Sequence, residues 1–255
     1  MIEMRDNGTG IKKEDTPYMA LPHYTSKLTN MDNLTSLDSY GFRGEALTSV
    51  AAISNLSIIT CTEMDDVALM YTIDHSGQVI ATKPSHLGRG TTISVTNLFK
   101  NIPVRKQYYK NSKHCKEDLK KVEDIVLSFV ITHPQDRFVL KHHKSIIWQK
   151  MQTSDFKINL QLVLGSTIMQ QLVPITFQHF DPMLKIQGYI PKRDADFTLV
   201  SRTTADKLFL IVNNRPVAVK PVIQVNANQL NLASFPCSPG NEAKLNHKSL
   251  LFCWD

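Results

Sequence analysis

The sequence predicts an α+β protein, and three observations predict it. Four β-like runs, at 56–62, 68–74, 78–83 and 91–98, follow one another with His75-Ser76-Gly77 as a hairpin turn between the second and third. Leu119, Val122, Ile125, Val126, Phe129 and Val130 recur at helical spacing, which makes 114–131 the best amphipathic helix in the chain. Near residue 150 the alternation restarts. The expected organisation is therefore a first domain over 1–150, a second, partial α+β domain over 151–225, and a divergent, poorly ordered tail over 226–255. The first four runs form a largely antiparallel meander, and helices must cover one face of it.

Taken in order, residues 2–5 read as a short strand that runs straight into Asp6. Residues 12–20 read as a helix that Pro22 stops, because proline lacks the N–H and clashes with the preceding turn. The Asn, Asp, Ser and Thr of 29–39 predict a loop. Ala46, Leu47, Val50, Ala51 and Ile53 have helical spacing just after Gly44. Beyond the long helix, 138–141 and 145–149 read as strands. Residues 158–164 read as a helix capped by Gly165. Strands follow at 172–177, 184–190 and 208–212, and Asn213-Asn214-Arg215-Pro216-Val217 is a turn opening a last helix or strand. From 226 onward Asn, Ser, Pro and Lys surround isolated apolar residues with no period.

Composition bounds the function. An apolar share of 42% supports a buried core, and a net charge of +6 with a pI near 9.1 permits an anionic partner. Cys61, Cys115, Cys237 and Cys253 form no Cys-x-x-Cys pair, and His75, His86, His114, His142 and His143 lack metal-ligand spacing. The adjacent pair His142-His143 suits a hairpin end, and Phe129, Phe138 and Trp148 suit core positions. With no apolar run of membrane length and no signal-peptide pattern, a soluble intracellular protein in a reducing compartment is expected.

Chemistry concentrates in five stretches. Residues 40–47, Tyr-Gly-Phe-Arg-Gly-Glu-Ala-Leu, place Gly41 and Gly44 around Phe42 and Arg43 immediately before a helix. Exposed backbone N–H groups and the positive end of a helix dipole suit a polyphosphate. Upstream, Asp6 precedes Gly8 and Gly10; a carboxylate there can accept a hydrogen bond from an exocyclic amine such as adenine's. Thr25-Ser26-Lys27 lies between, and Gly88-Arg89-Gly90-Thr91-Thr92 downstream. Each stretch alone also reads as an ordinary surface turn. A fifth stretch, 100–121, is strongly basic, with Tyr108 and Tyr109 interleaved. Arg105, Lys106, Lys110 and Lys113 could contact DNA phosphates, or the segment could be a solvated helix face.

The set in this order resembles the ATP-binding domain of the MutL family of DNA mismatch repair proteins, within the superfamily that includes gyrase, the Hsp90 chaperones and histidine kinases. Asp6 to Ile11 resembles the family's adenine-contacting motif, 40–47 its lid and Gly90-Thr91-Thr92 its third nucleotide motif. Residues 98–108 are most similar to the eukaryotic post-meiotic-segregation (PMS) branch. Asn213-Asn214-Arg215-Pro216-Val217 resembles the signature of the family's second, ribosomal-S5-like transducer domain.

The resemblance implies a GHKL-type two-layer α/β sandwich over 1–150 and a partial transducer domain over 151–225. It implies ATP and Mg2+ as cofactors, with Asp6, Gly8, Gly10, Thr25, Ser26, Lys27, Gly41, Phe42, Arg43, Gly44, Gly90 and Thr91 as nucleotide-site residues. Implied partners are a second MutL homologue in a heterodimer, MutS-type mismatch-recognition proteins and DNA without sequence specificity, all in the nucleus. In the family, a helix before the first motif carries a Glu that activates water and an Asn that holds magnesium; the chain starts after that helix. Weak nucleotide binding with little turnover is therefore expected, and the sheet should expose part of an apolar face. The alternatives are a non-catalytic scaffold or DNA-binding subunit of the repair complex, or a truncated gene model.

Overall fold

A computed structural model describes residues 1–25, 40–41, 43–180, 183–200, 209–217 and 251–254. The predicted loop at 29–39 lies outside the described residues. The chain forms two compact units, 1–116 and 117–255.

The first unit is a five-stranded sheet in the order β1-β5-β2-β3-β4, antiparallel at every pairing. Its strands are β1 (Ile2–Arg5), β2 (Asn55–Cys61), β3 (Ala68–Ile73), β4 (Val79–Ser85) and β5 (Gly90–Thr96). Alternation decides which face is buried. Leu56 and Ile58 stand opposite Ile73 and Tyr71 on one side and Val95 and Ile93 on the other, so all six share a face. Helix α1 (Ala46–Ile53) lays Leu47, Val50 and Ala51 on that face, and Ala20 and Met19 complete the core. One helix does not cover it all. Ile2 and Met4 pair with Val95 and Ile93 and so point to the same face, yet they are 55% and 70% exposed.

The predicted hairpin forms as read. The Asp74 carboxylate accepts hydrogen bonds from the Ser76 and Gln78 backbone N–H groups, each 2.9 Å, and Gly77 takes the positive φ of 91° that the turn needs. Those bonds, led by the one from the Ser76 hydroxyl, hold the Asp74 carboxyl below its usual value of 3.8.

The helix expected over 12–20 does not form. A run of tight turns replaces it, with N–H groups of Asp15, Tyr18 and Leu21 bonded to the carbonyls three residues earlier. Pro17 has no N–H to give to Lys13, whose carbonyl instead accepts from the Thr16 hydroxyl at 2.9 Å. Helix α2 (Pro103–Tyr108), which the periodicity does not predict, starts with proline at a first-turn position.

Helix α3 (Ser112–Thr132) is the predicted amphipathic helix, begun by Asn111, whose side-chain oxygen accepts from Lys113 N–H at 2.9 Å. The sequence reading places its domain boundary near residue 150. The compact units divide within α3 instead, because Leu127 and Ile131 at its C-terminal end pack with Leu160, Leu164, Met169, Phe209 and Ile211 of the second unit.

That unit contains the hairpin of β6 (Phe138–His142) and β7 (Ser145–Lys150), closed by His143 and Lys144, both at positive φ. Phe129, Phe138 and Trp148 are half-buried rather than core. Helix α4 (Phe156–Leu164) is capped by Asp155, which accepts from Ile158 N–H at 3.1 Å, and ends at Gly165 with φ 89°. Short helix α5 (Ser166–Gln170) follows, then β8 (Leu172–Phe180), β9 (Met183–Pro191), α6 (Phe197–Val200), β10 (Leu210–Val212) and β11 (Arg215–Val217). Most of the predicted poorly ordered tail lies outside the described residues. Its segment Leu251–Trp254 forms a strand, β12, inside a second sheet of order β11-β10-β12-β9-β8. Among the described residues no helix is long and apolar enough to cross a membrane.

Candidate nucleotide site

The site begins where β1 ends. Because β1 and β5 run antiparallel with Arg5 opposite Thr92, the residue after β1 meets the residues that open β5. Asp6 N–H donates to the Thr91 carbonyl at 2.9 Å, and the Asp6 carboxylate oxygen Oδ1 accepts from Thr91 N–H at 3.2 Å and Gly8 N–H at 2.9 Å. Two glycine loops far apart in sequence, 6–10 and 88–92, thus share one exposed carboxylate. Gly90 has φ 115°, and a Cβ there would overlap the carbonyl oxygen of Asp6, so only glycine lets the two chains pass this closely.

A residue that the sequence reading does not single out supports this join from below. Thr60 of β2 is 5% exposed; its hydroxyl accepts from Ile11 N–H at 2.7 Å and donates to the Gly90 carbonyl at 3.4 Å. It connects the end of the Asp6–Gly8–Gly10 loop to the start of β5. Its place inside a β-like run hides it, and only the register that puts Thr60 opposite Thr91 reveals it.

Gly44 approaches the backbone of Tyr24 so closely, at φ 64°, that a Cβ would overlap the Tyr24 carbonyl. The stretch ending in Gly44 therefore lies against the chain leading into Thr25. Thr48 Oγ1 fastens the following helix to the Ala20 carbonyl at 2.6 Å. Gly41 and Arg43 precede α1 in irregular backbone, while Ser26, Lys27 and Phe42 lie outside the described residues.

The basic segment forms a separate cluster in the same unit. Arg105 and Lys106 lie on α2, Lys110 between the helices and Lys113 in the first turn of α3, all exposed. Aromatic rings hold this segment together: Tyr108 stacks on His114 at 3.9 Å, Phe99 stacks on Tyr109 at 5.4 Å, and the Arg105 guanidinium sits 5.7 Å from the centre of Phe99. Further along α3 the charges are balanced internally, with Lys120 paired to Asp124 at 2.9 Å and Lys121 to Asp118 at 2.8 Å. Residues 100–116 contain no acidic side chain, so the unbalanced positive charge belongs to α2 and the start of α3.

No family model matches the chain. Individual relatives do. The chain is 42% identical over 231 residues, 91% of its length, to the human "PMS1 protein homolog 1", and 31% identical over 223 residues, 88% of its length, to the "DNA mismatch repair protein MutL" of Bacillus pumilus. The chain belongs to the MutL family of mismatch repair proteins, as a PMS-type homologue. It spans 25% of the human relative and 33% of the bacterial one.

Solved structures agree on the fold of this MutL homologue. A structure described as the N-terminal domain of a DNA repair protein superposes with a TM-score of 0.77 at 26% identity, over 98% of this chain and 73% of that one. The Aquifex aeolicus MutL ATPase domain complexed with ADP gives a TM-score of 0.62 at 15% identity, over 99% of this chain and 77% of that one, a likeness of fold alone. The α+β architecture expected from the sequence is the observed one, and its fold is that of these solved structures.

Proposed function

We propose that this MutL homologue binds an adenine nucleotide, ATP in its working cycle, at the loops joined by Asp6, and that it serves as the nucleotide-binding part of a mismatch repair protein. The observation that carries this reading is the shared carboxylate. Both backbone bonds to Asp6 end on Oδ1, and a carboxylate offers about four acceptor positions, so an exocyclic amine can be accepted as well. That donor set fits adenine. Gly8, Gly10, Gly90 and Thr91 are assigned to the base beside Asp6, and Thr25, Ser26, Lys27, Gly41, Phe42, Arg43 and Gly44 to the phosphates and the lid. The solved relative bound to ADP has this fold and supports the assignment.

Magnesium, which is commonly held by one or two carboxylates together with substrate phosphates, would enter with the nucleotide; among the described residues no group of three His, Cys, Asp or Glu side chains could hold a metal ion by itself. Heterodimerisation with a second MutL homologue, action with MutS-type mismatch-recognition proteins and residence in the nucleus complete the reading, by analogy with the longer relatives.

A second reading rests on residues 100–116. A surface of Arg105, Lys106, Lys110 and Lys113 with no acidic residue among them suits the phosphate backbone of DNA without reading sequence. The two readings separate experimentally. Equilibrium binding of a fluorescent ATP analogue should weaken at least tenfold in Asp6→Asn and stay unchanged in a Lys106→Gln, Lys110→Gln, Lys113→Gln triple variant. Equal binding by wild type and Asp6→Asn would refute the nucleotide assignment.

A further inference from the structure

Valine would serve strand β2 at position 60 as well as threonine does. The two side chains have the same shape, and Thr60 is 5% exposed between Leu69 of β3 and Thr91 of β5. What valine lacks is the hydroxyl, and a buried hydroxyl is costly unless it is hydrogen-bonded. Both bonds of this one leave β2: it accepts from Ile11 N–H at 2.7 Å and donates to the Gly90 carbonyl at 3.4 Å. Both partners belong to the loops that meet at Asp6.

Each partner is also one end of a planar peptide. The Gly90 carbonyl and the Thr91 N–H share a single plane, and that N–H donates to Asp6 Oδ1 at 3.2 Å. Holding the carbonyl from below therefore aims the N–H at the carboxylate. The Ile11 N–H shares its plane with the Gly10 carbonyl in the same way. Gly10, at φ 75°, lies so close on β2 that a Cβ would overlap the Cys61 carbonyl, and the Ile11 side chain packs with the core of Leu56 and Ile58. The turn after β2 is fixed as well, because the Asp65 carboxylate accepts from the Thr62 N–H at 2.8 Å and the Thr62 hydroxyl at 2.6 Å. The end of β2 is a floor on which both loops rest.

We propose that Thr60 is a positioning residue of the nucleotide site. Through the Gly90–Thr91 and Gly10–Ile11 peptides its hydroxyl sets the orientation of the Asp6 carboxylate, and with it the affinity and the base preference of nucleotide binding. Both backbone bonds to Asp6 end on Oδ1, so they decide the direction in which Oδ2 is presented to an exocyclic amine. This role rests on adenine nucleotide binding at these loops.

Equilibrium titration of the full chain with a fluorescent ATP analogue and its guanine counterpart tests it. Thr60→Val should weaken the ATP analogue at least tenfold and abolish the preference for it over the guanine counterpart, and Thr60→Ser should retain both affinity and preference. A loss of stability alone would scale the two nucleotides together and leave their ratio intact. Without nucleotide, Thr60→Val should speed amide exchange at Gly8, Ile11 and Thr91 at least tenfold while residues 71–73 of β3 keep their wild-type rates. Where the valine variant fails to fold, Thr60→Ala carries the same expectations. Equal affinity of wild type and Thr60→Val for the ATP analogue would overturn the proposal and leave the nucleotide assignment standing. So would a weakening that Thr60→Ser shares, or one that leaves the base preference unchanged. A wild-type chain that binds neither nucleotide would overturn both.

Discussion

Asp6 and Thr91 hold each other twice: the Asp6 N–H donates to the Thr91 carbonyl at 2.9 Å, and the Thr91 N–H donates to the Asp6 carboxylate at 3.2 Å. The pair makes the end of β1 and the start of β5 one structural element. A carboxylate held this way is pre-oriented before any ligand arrives, which lowers the ordering cost of binding.

Gly90→Ala should be among the most damaging small changes in the first unit. The added methyl meets the Asp6 carbonyl, and the positive φ strains any non-glycine residue, at a cost of roughly 1–3 kcal/mol. Gly88→Ala, with nothing within 4 Å of its added Cβ, should stay within about 0.5 kcal/mol of wild type. Urea denaturation of the two variants makes the comparison, and equal midpoints would contradict the close approach.

Lys150 predicts the largest effect in the second unit. Its side chain is 2% exposed, and its ammonium donates to the carbonyls of His133 at 2.9 Å, Pro134 at 2.6 Å and Asp136 at 3.0 Å, closing the chain that leaves α3. Lys150→Met keeps the volume and strands three acceptors, so it should cost about 2–4 kcal/mol, while Lys141→Met on the exposed surface should cost little. Burial lowers the Lys150 pKa, opposed by Asp136. The unfolded chain therefore holds this proton to higher pH, and the stability contributed by this group should rise as pH climbs towards 10.5.

Asp74 gives the opposite pH dependence. Hydrogen bonds from Ser76 and Gln78 favour its carboxylate in the folded hairpin, so its contribution is present above 3.8 and lost as pH falls through the lower folded value. A carboxyl-carbon NMR titration should place the Asp74 midpoint below 3.8, and a midpoint at or above that value would contradict the turn geometry.

The basic segment makes a salt-dependent prediction. Replacing Lys106, Lys110 and Lys113 together by Gln should weaken retention on DNA at least tenfold at low salt. It should also flatten the slope of log affinity against log salt by about 2–3. An unchanged slope would mark this face as solvated only.

How much of this was legible in the sequence varies with the range of the forces involved. The 75–77 hairpin and α3 could be read because turn chemistry and a 3.6-residue period are local. Residues 12–20 read as a helix ending at Pro22, but Pro17 already removes the bond a helix needs there. Helix α2 escaped because six residues with a proline start carry no apolar stripe. Strand β12 escaped because four residues become an internal strand only when β9 and β10 flank them. In the site, Asp6, Gly8, Gly90 and Thr91 were readable as loop chemistry, but their meeting depends on the pairing of β1 with β5, which no spacing encodes. Thr60 was invisible for the same reason.

Thermal melting with adenine and guanine nucleotides tests the central claim most directly. A ligand that binds only the folded state stabilises it by about 2.7 kcal/mol at a hundred times its dissociation constant, which lifts the midpoint of a chain of this size by roughly 5–10 °C. A non-hydrolysable ATP analogue should produce that rise and its guanine counterpart should not, and Asp6→Asn should erase the difference. A cooperative melt whose midpoint moves with neither nucleotide would contradict nucleotide binding at the loops that Asp6 and Thr91 join.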